Sequence, residues 1–537
     1  MSESRTPPMR ILVVGGGTAG WMAATLMAHS WRDRDIEISL IESQKIGIIG
    51  VGEASTPLIR RYFDRLGIAE SEWMPRCNAT YKCGIRFPNW SQRKGFETYY
   101  HPFFTHDDER FIETFFHNTQ LRRKNIAVPA HPNDFFVSNL LAQRSLAPLA
   151  GPGISYVTEY AYHFDSHLVG ALLAERAEAL GVRHIEDVFT SVNRHENGDI
   201  ASLETENHGQ VEADFFIDCT GFAGHLIGRT LDVPFHSDLD VLFNDAAVVL
   251  RKPYPDGMKV LPSEVYSGAL KYGWLWKIPL ADAMSFGYVY GSAFVSADDA
   301  EAEVREFIGA TDPAIQARHL KIRVGSRSHC WERNCLAMGL SQGFIEPLES
   351  TGLFITQETI ETFIQQFQAA DFTDQHRDTV NTRVNEIFAG VRDYIFMHYK
   401  VNGRSDTEYW VANRENKAGA DLWASEFLSV WDKGGDILGV MDAHKDKMVY
   451  THTSWVCLMA GMGRFPRSPK KPGPKHRHAD MDAVRANCER LAGHFPDHLG
   501  VIQAMRRGGE PAHRGDERLG LDRRGPRSIQ GIDPLRG

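Results

Sequence analysis

The stretch "RILVVGGGTAGWMAATLMAHS", residues 10–30, decides the fold. A short apolar run enters a glycine turn and leaves it in helical periodicity. "DIEISLIES" (35–43) follows as a second apolar run that ends in an acid. Strand, turn, helix and strand in this order open a doubly wound, largely parallel nucleotide-binding sheet. Gly15, Gly17 and Gly20 satisfy G-x-G-x-x-G directly after the first strand. Glycines there permit the tight turn, let the backbone approach a pyrophosphate and let helix pack close on strand. The helix start offers N–H groups and the positive end of its dipole to phosphates. Glu42, closing the second strand, stands where an acid holds a ribose hydroxyl.

The fingerprint alone does not separate FAD from NAD; two later segments favour FAD. "DFFIDCTG" (214–221) is an apolar strand ending in Asp218, Thr220 and Gly221, and resembles the second flavin-contacting strand of two-dinucleotide-fold flavoproteins. "CLAMGLSQGF" (335–344) occupies the place where aromatic hydroxylases of that superfamily carry Gly-Asp, but Leu340 follows Gly339 here. A second G-x-G-x-x-G is absent, so the sequence predicts a flavin enzyme reduced by a separate protein.

With 537 residues the chain exceeds one hydrophobic core. A hydrophobic share of 42%, a charged share of 24% and a net charge of −10 describe a globular protein with no whole-chain bias toward nucleic acid. Seven cysteines form no CxxC pair, which argues against a disulfide framework or structural zinc site and fits a reducing cytoplasm. No run of 18 apolar residues is present, so no membrane span is expected, and "MSESRTPPMR" does not read as a signal peptide.

The fold expectation is α/β: a Rossmann-like FAD-binding domain with an inserted sheet and substrate region and a helical C-terminal region. Segments 9–85, 150–228 and 330–365 are assigned to the flavin domain, and 86–149 and 229–329 to the substrate or lid region. Residues 366–505 read as mainly helical, as does "TEYAYHFDSHLVGALLAERAEALG" from 158 onward. The last 32 residues, 506–537, hold eight arginines and almost no aromatic residue, and are expected to be a disordered basic tail.

"GGGTAGWMAA" (15–24), "GVGEASTP" (50–57), "YKCGIRFPNW" (81–90), "GWLWKIP" (273–279) and "GFIEPLESTG" (343–352) together resemble the flavin-dependent tryptophan halogenases and their indole-halogenating relatives. The resemblance implies that reduced FAD, delivered by a separate NAD(P)H-dependent flavin reductase, reacts with oxygen and a bound halide to give hypohalous acid. The acid then passes through an internal tunnel to the organic substrate, where a lysine steers it. It places that lysine at Lys82, the tunnel tryptophans at Trp274 and Trp276, the catalytic glutamate at Glu349 and the halide, bromide or chloride, at Thr351–Gly352. It assigns flavin contacts to Gly15, Gly17, Thr18, Ala19, Gly20, Glu42, Val51, Ala54, Val188, Thr220, Gly221, Gly339, Leu340 and Leu353. His101 and Phe103 match positions flanking the indole ring, and Tyr450 falls where the free-tryptophan enzymes have a tryptophan. Family members are often dimeric, so a homodimer is compatible with the resemblance.

The residue types suit this chemistry. An ammonium at Lys82 can hydrogen-bond hypohalous acid, and a carboxylate at Glu349 can take the proton lost when the ring regains aromaticity. Glu346 reads as structural, and plain helix capping by Ser350 or Thr351 is the bland account of the whole run. In "HKDKMVYTHTSWVCLMAGMG" (444–463), Val449 and Tyr450 replace a Phe-Trp pair and "SWVC" replaces a tyrosine pair. An electron-rich aromatic, indole-like or phenolic, is therefore expected in place of free tryptophan. Two other readings stand beside this one: an aromatic monooxygenase using the same flavin and oxygen, and a non-catalytic flavin-binding homologue.

Overall fold

The computed structural model describes residues 8–43, 45 and 52–509. Val51, the first seven residues and the basic segment from 510 onward lie outside the described residues. Strand β1 (Met9–Val14), helix α1 (Thr18–Ser30) and strand β2 (Ile36–Glu42) form the expected opening. β1 is flanked in parallel by β2 on one side and by Phe215–Asp218 on the other. The six-stranded sheet is completed by Arg183–Glu186 beyond β2, and by Cys335–Ala337 and Trp331–Glu332 beyond Phe215–Asp218. α1 is apolar all round and buried from Gly20 to Ala28, as a helix between a sheet and other helices must be.

A three-stranded antiparallel sheet lies next to it, built from β3 (Gly52–Ala54), β4 (Thr80–Lys82) and the central β5 (Ala161–Asp165). This corrects the expectation of a helix from 158: five residues of that run are strand, and the helix starts only at Ser166. All five strand residues are buried: β5 pairs on both edges and both of its faces are covered, so no polar alternation marks it. Asp165 ends the strand by accepting hydrogen bonds from the backbone N–H groups of His167 and Leu168, an N-cap that sets the helix start.

Segments far apart in the chain share a larger mixed sheet of seven strands, in which Gly84–Pro88 and Thr98–Pro102 join strands from 246 to 321, Gly84–Pro88 pairing in parallel with Val265–Ala269 and every other pair being antiparallel. Strand β6 (Gly273–Pro279) runs through it with Trp274 and Trp276 on one face, two residues apart. Gly287 on the neighbouring strand makes room for them: a Cβ there would lie 1.9 Å from a ring carbon of Trp276. Helices α2 (Thr351–Ala369), α3 (Arg377–Lys400) and α4 (His452–Gly461) then close over the sheets. Among the described residues no helix is long and apolar enough to cross a membrane.

Gly20 is where the fingerprint turn is tightest, since a Cβ would sit 1.9 Å from the Gly15 carbonyl oxygen. Gly20→Ala is expected to cost about 2 kcal/mol or more through overpacking. A lower apparent melting temperature together with loss of FAD binding is the expected result; unchanged melting would show that the turn relaxes freely.

Candidate active site

Glu349 and Ser350 lie in a backbone turn that side chains avoid. Their φ angles are +67° and +61°, two successive left-handed residues, neither of them glycine. Each such residue costs on the order of 1–3 kcal/mol and persists only where its surroundings over-determine it. Pro347 leads into the turn and α2 leads out. Ser350 is the N-cap residue of α2, yet its side chain caps nothing, and the Thr351 hydroxyl donates back to the Glu346 carbonyl at 3.3 Å. Plain side-chain capping is therefore not what holds this run.

The Ser350 hydroxyl instead accepts a hydrogen bond from Lys82 Nζ at 2.9 Å. The same ammonium donates to the Ser55 carbonyl at 2.8 Å and lies 5.2 Å from the centre of the Phe103 ring. Lys82 is fully buried, and burial pushes its pKa down to about 7 against the opposing field of Glu349. β4 holds it there, paired through Lys82 to Ala161 on β5, while Ser55 follows directly from β3.

Glu349 is buried too, which by itself would raise its pKa; His101, a hydrogen bond with His398 and the nearby Lys82 reverse that and hold it below the usual carboxylate range. His398 Nε2 lies 3.1 Å from the carboxylate, and its Nδ1 lies 3.0 Å from the Tyr394 carbonyl one helical turn back on α3. Both ring nitrogens thus face oxygen acceptors. Three residues earlier, Glu346 has the opposite environment. Its Oε2 accepts from Asn244, Tyr399 and Trp274 at 3.0, 3.0 and 3.2 Å, and burial raises its pKa in spite of these donors. Glu346 fixes the ring of Trp274, as its structural reading expected. The Trp276 ring lies 6.0 Å from that of Trp274, with its indole N–H buried and unpartnered.

Aromatic side chains wall the space beside Glu349. His101 Nε2 meets the Tyr394 hydroxyl at 3.2 Å, and burial pushes the His101 pKa down to about 4. Tyr450 stacks on Tyr394 with ring centres 3.6 Å apart, and Trp455 meets Tyr394 edge-on at 5.0 Å. The Tyr99 and Tyr450 hydroxyls, Trp455 Nε1, Thr453 Oγ1 and His101 Nδ1 are buried without hydrogen-bond partners among the described residues. Of the residues singled out from sequence, Lys82, His101, Phe103, Glu349 and Tyr450 converge here. His398, Tyr394 and Trp455 were missed. The available signal was the four-residue spacing of Tyr394 and His398 on one helix, which places both on one face.

Of the flavin contacts expected from sequence, Gly15, Gly17, Thr220, Gly221 and Gly339 lie just beyond the parallel strands that end at Val14, Asp218 and Ala337. Gly339, at φ +61°, approaches α1 so closely that a Cβ would lie 2.9 Å from Ala19 Cβ. Thr18 donates to the Ser166 carbonyl at 3.3 Å, and Thr220 is tied to the buried Asp218, which also accepts from the backbone of Leu226 and Ile227. Glu42 lies against Gly16, where a Cβ would be 1.7 Å from its carboxylate oxygen, and bonds His184 at 3.0 Å. Asp187, just before Val188, donates its backbone N–H to the Glu42 carbonyl. Ala54 is buried on β3, and Leu340 and Leu353 are half-buried. The helix start at Gly17 carries no side-chain cap. An uncapped helix N-terminus behind glycines that admit no Cβ fits the pyrophosphate of a dinucleotide.

A dinucleotide cleft of this type with a buried Lys–Ser–Glu–His cluster behind it defines a flavin enzyme with a secluded second site. Residues 10–476 match the family model described as tryptophan halogenase. The tryptophan 6-halogenase SttH of Streptomyces toxytricini is 37% identical over 93% of this chain and 98% of its own length. The tryptophan 7-halogenase RebH of Lentzea aerocolonigenes is 34% identical over 91% of this chain and 95% of its own. Among solved structures, the flavin-dependent halogenase BrvH from Brevundimonas sp. BAL3 superposes with a TM-score of 0.78 at 29% identity, covering 93% of this chain and all of that one. The chain belongs to the tryptophan halogenase family. It is an enzyme, a flavin-dependent halogenase, and membership carries with it a flavin cofactor and a halide co-substrate.

The depressed lysine has a thermodynamic consequence. Its folded pKa of about 7 lies below the ordinary 10.5, so between these values the unfolded chain binds the extra proton and stability rises with pH. Below pH 7 the buried ammonium costs on the order of 5 kcal/mol. The melting advantage of Lys82→Met over the parent should therefore be greatest at pH 6 to 7 and shrink toward pH 10; a pH-independent difference would mean that Lys82 keeps its proton throughout.

Proposed function

We propose that this halogenase uses reduced FAD, supplied by a separate flavin reductase, with oxygen and bromide or chloride, to halogenate an electron-rich, indole-like aromatic. The observation that carries the reading is the convergence of the Lys82 ammonium and the Glu349 carboxylate on the strained turn at 349–350. Flavin, when bound, supplies the electrons that reduce oxygen and so make halide into an electrophilic oxidant. Lys82 then donates a hydrogen bond to hypohalous acid and makes its halogen more electrophilic. Glu349, kept ionised by its neighbours, takes the proton that leaves the ring. The space beside Gly352, where a Cβ would meet nothing closer than a Phe344 ring carbon at 3.8 Å, supports a halide at the Thr351–Gly352 step. Trp274 and Trp276 are assigned to the path between halide and substrate.

Tyr450 and the unpartnered donors around it support a polar aromatic substrate other than free tryptophan. The seven unpaired cysteines support a reducing cytoplasm. The test is turnover with FAD, a generic flavin reductase, NADH, oxygen and halide, offering indole beside free tryptophan, with products read by mass spectrometry. A bromine or chlorine isotope pattern on indole, lost in Lys82→Ala while flavin binding persists, is the expected outcome. Normal halogenation by Lys82→Ala would overturn the assigned mechanism.

A further inference from the structure

A cavity of about 650 Å³ lies away from the cluster just described, between the loop after Trp90, the helix Glu109–Arg123 and the segment after Gly461. Its size is within the range of about 300–1,000 Å³ that holds small ligands. Six cations line it (Arg93, Lys94, Arg122, Arg123, Arg464 and Arg467) against one carboxylate, Asp432. On a chain whose net charge is −10, this is a local reversal of sign.

Three of the six serve the fold. Arg123 donates to the carbonyls of Val430, Trp431 and Gly435; Arg93 donates to those of Val401 and Met462; Arg464 pairs with Asp432 at 2.7 Å. The other three have no such employment. Arg122 Nη1 is buried with no hydrogen-bond partner among the described residues, and its guanidinium lies 5.4 Å from the centre of the Phe465 ring. Lys94 and Arg467 are exposed at the rim. Phe96 and Phe465, both half-buried with ring centres 6.1 Å apart, supply an aromatic wall. Burial, and after it the nearby Arg464 and Arg467, push the Arg93 pKa down to about 10 in spite of Asp432.

We propose that this cavity binds a small aromatic polyanion, a nucleotide-like organic phosphate, with Arg122 and Arg467 on the phosphates and Phe96 and Phe465 against the ring. Forked guanidinium groups match phosphate oxygens in pairs, and a planar ring gains contact area on aromatic walls. The site uses neither Lys82 nor Glu349 and stands independently of the halogenation chemistry.

Calorimetric titration of the full chain, saturated with FAD so that the dinucleotide cleft is filled, tests it with ADP as probe and pyrophosphate as the ring-free comparison. ADP should bind at a single site, and Arg122→Gln or Arg467→Gln should weaken it by about tenfold or more. Pyrophosphate should bind less tightly than ADP and be weakened by the same substitutions. Arg467 is exposed, so Arg467→Gln carries the test even where Arg122→Gln fails to fold. No ADP binding at millimolar concentration, or binding that Arg467→Gln leaves unchanged, overturns the site; equal affinity for pyrophosphate and ADP overturns its aromatic half.

Discussion

A hydrogen bond from a fully buried ammonium to a serine in a left-handed turn ties the candidate site together. Neither partner is comfortable alone. Lys82 loses its hydration and is left with one carbonyl, one hydroxyl, the face of Phe103 and the field of Glu349. The turn at 349–350 holds two side-chain-bearing residues in a region that glycine prefers. Their bond spans 268 positions in sequence, joining the small sheet that carries β4 to the start of α2. The site therefore exists only once both the strand layers and the helical layer have formed.

Two carboxylates three residues apart show how environment assigns roles. Glu346 is wrapped by neutral donors from Asn244, Tyr399 and Trp274 and is pushed up in pKa; it orients a ring. Glu349 faces His398, His101 and Lys82 and is pushed down, the side on which it stays ionised. Such divergence between neighbouring groups is how one fold separates a structural acid from a reactive one.

Legibility in the sequence followed locality. The strand, glycine turn and helix of the nucleotide cleft were readable because the apolar run, the G-x-G-x-x-G and the closing acid all lie within 34 residues, Met9 to Glu42, and Gly20 answers a close approach to Gly15 inside that span. The strand at 161–165 was not, because both of its faces are covered, which buries every residue and removes the alternation that marks half-exposed strands. Lys82 and Glu349 were reached through a resemblance, since no spacing links residues brought together by tertiary structure alone. His398 was missed because a histidine in a buried helix face looks like packing until its carboxylate partner is placed beside it. The substrate region was legible as a departure, with Tyr450 at an expected tryptophan, but its stacking on Tyr394 depends on how α3 and the segment before α4 meet.

The central claim is that one turn organises lysine, carboxylate and halide together. Diffraction from bromide-soaked crystals of the FAD-bound protein, recorded at the bromine absorption edge, tests it most directly. An anomalous peak is expected within hydrogen-bonding reach of the Thr351 and Gly352 backbone N–H groups, with Lys82 still bonded to Ser350. Bromide ordered elsewhere near the flavin, with the Thr351–Gly352 step empty, would contradict it.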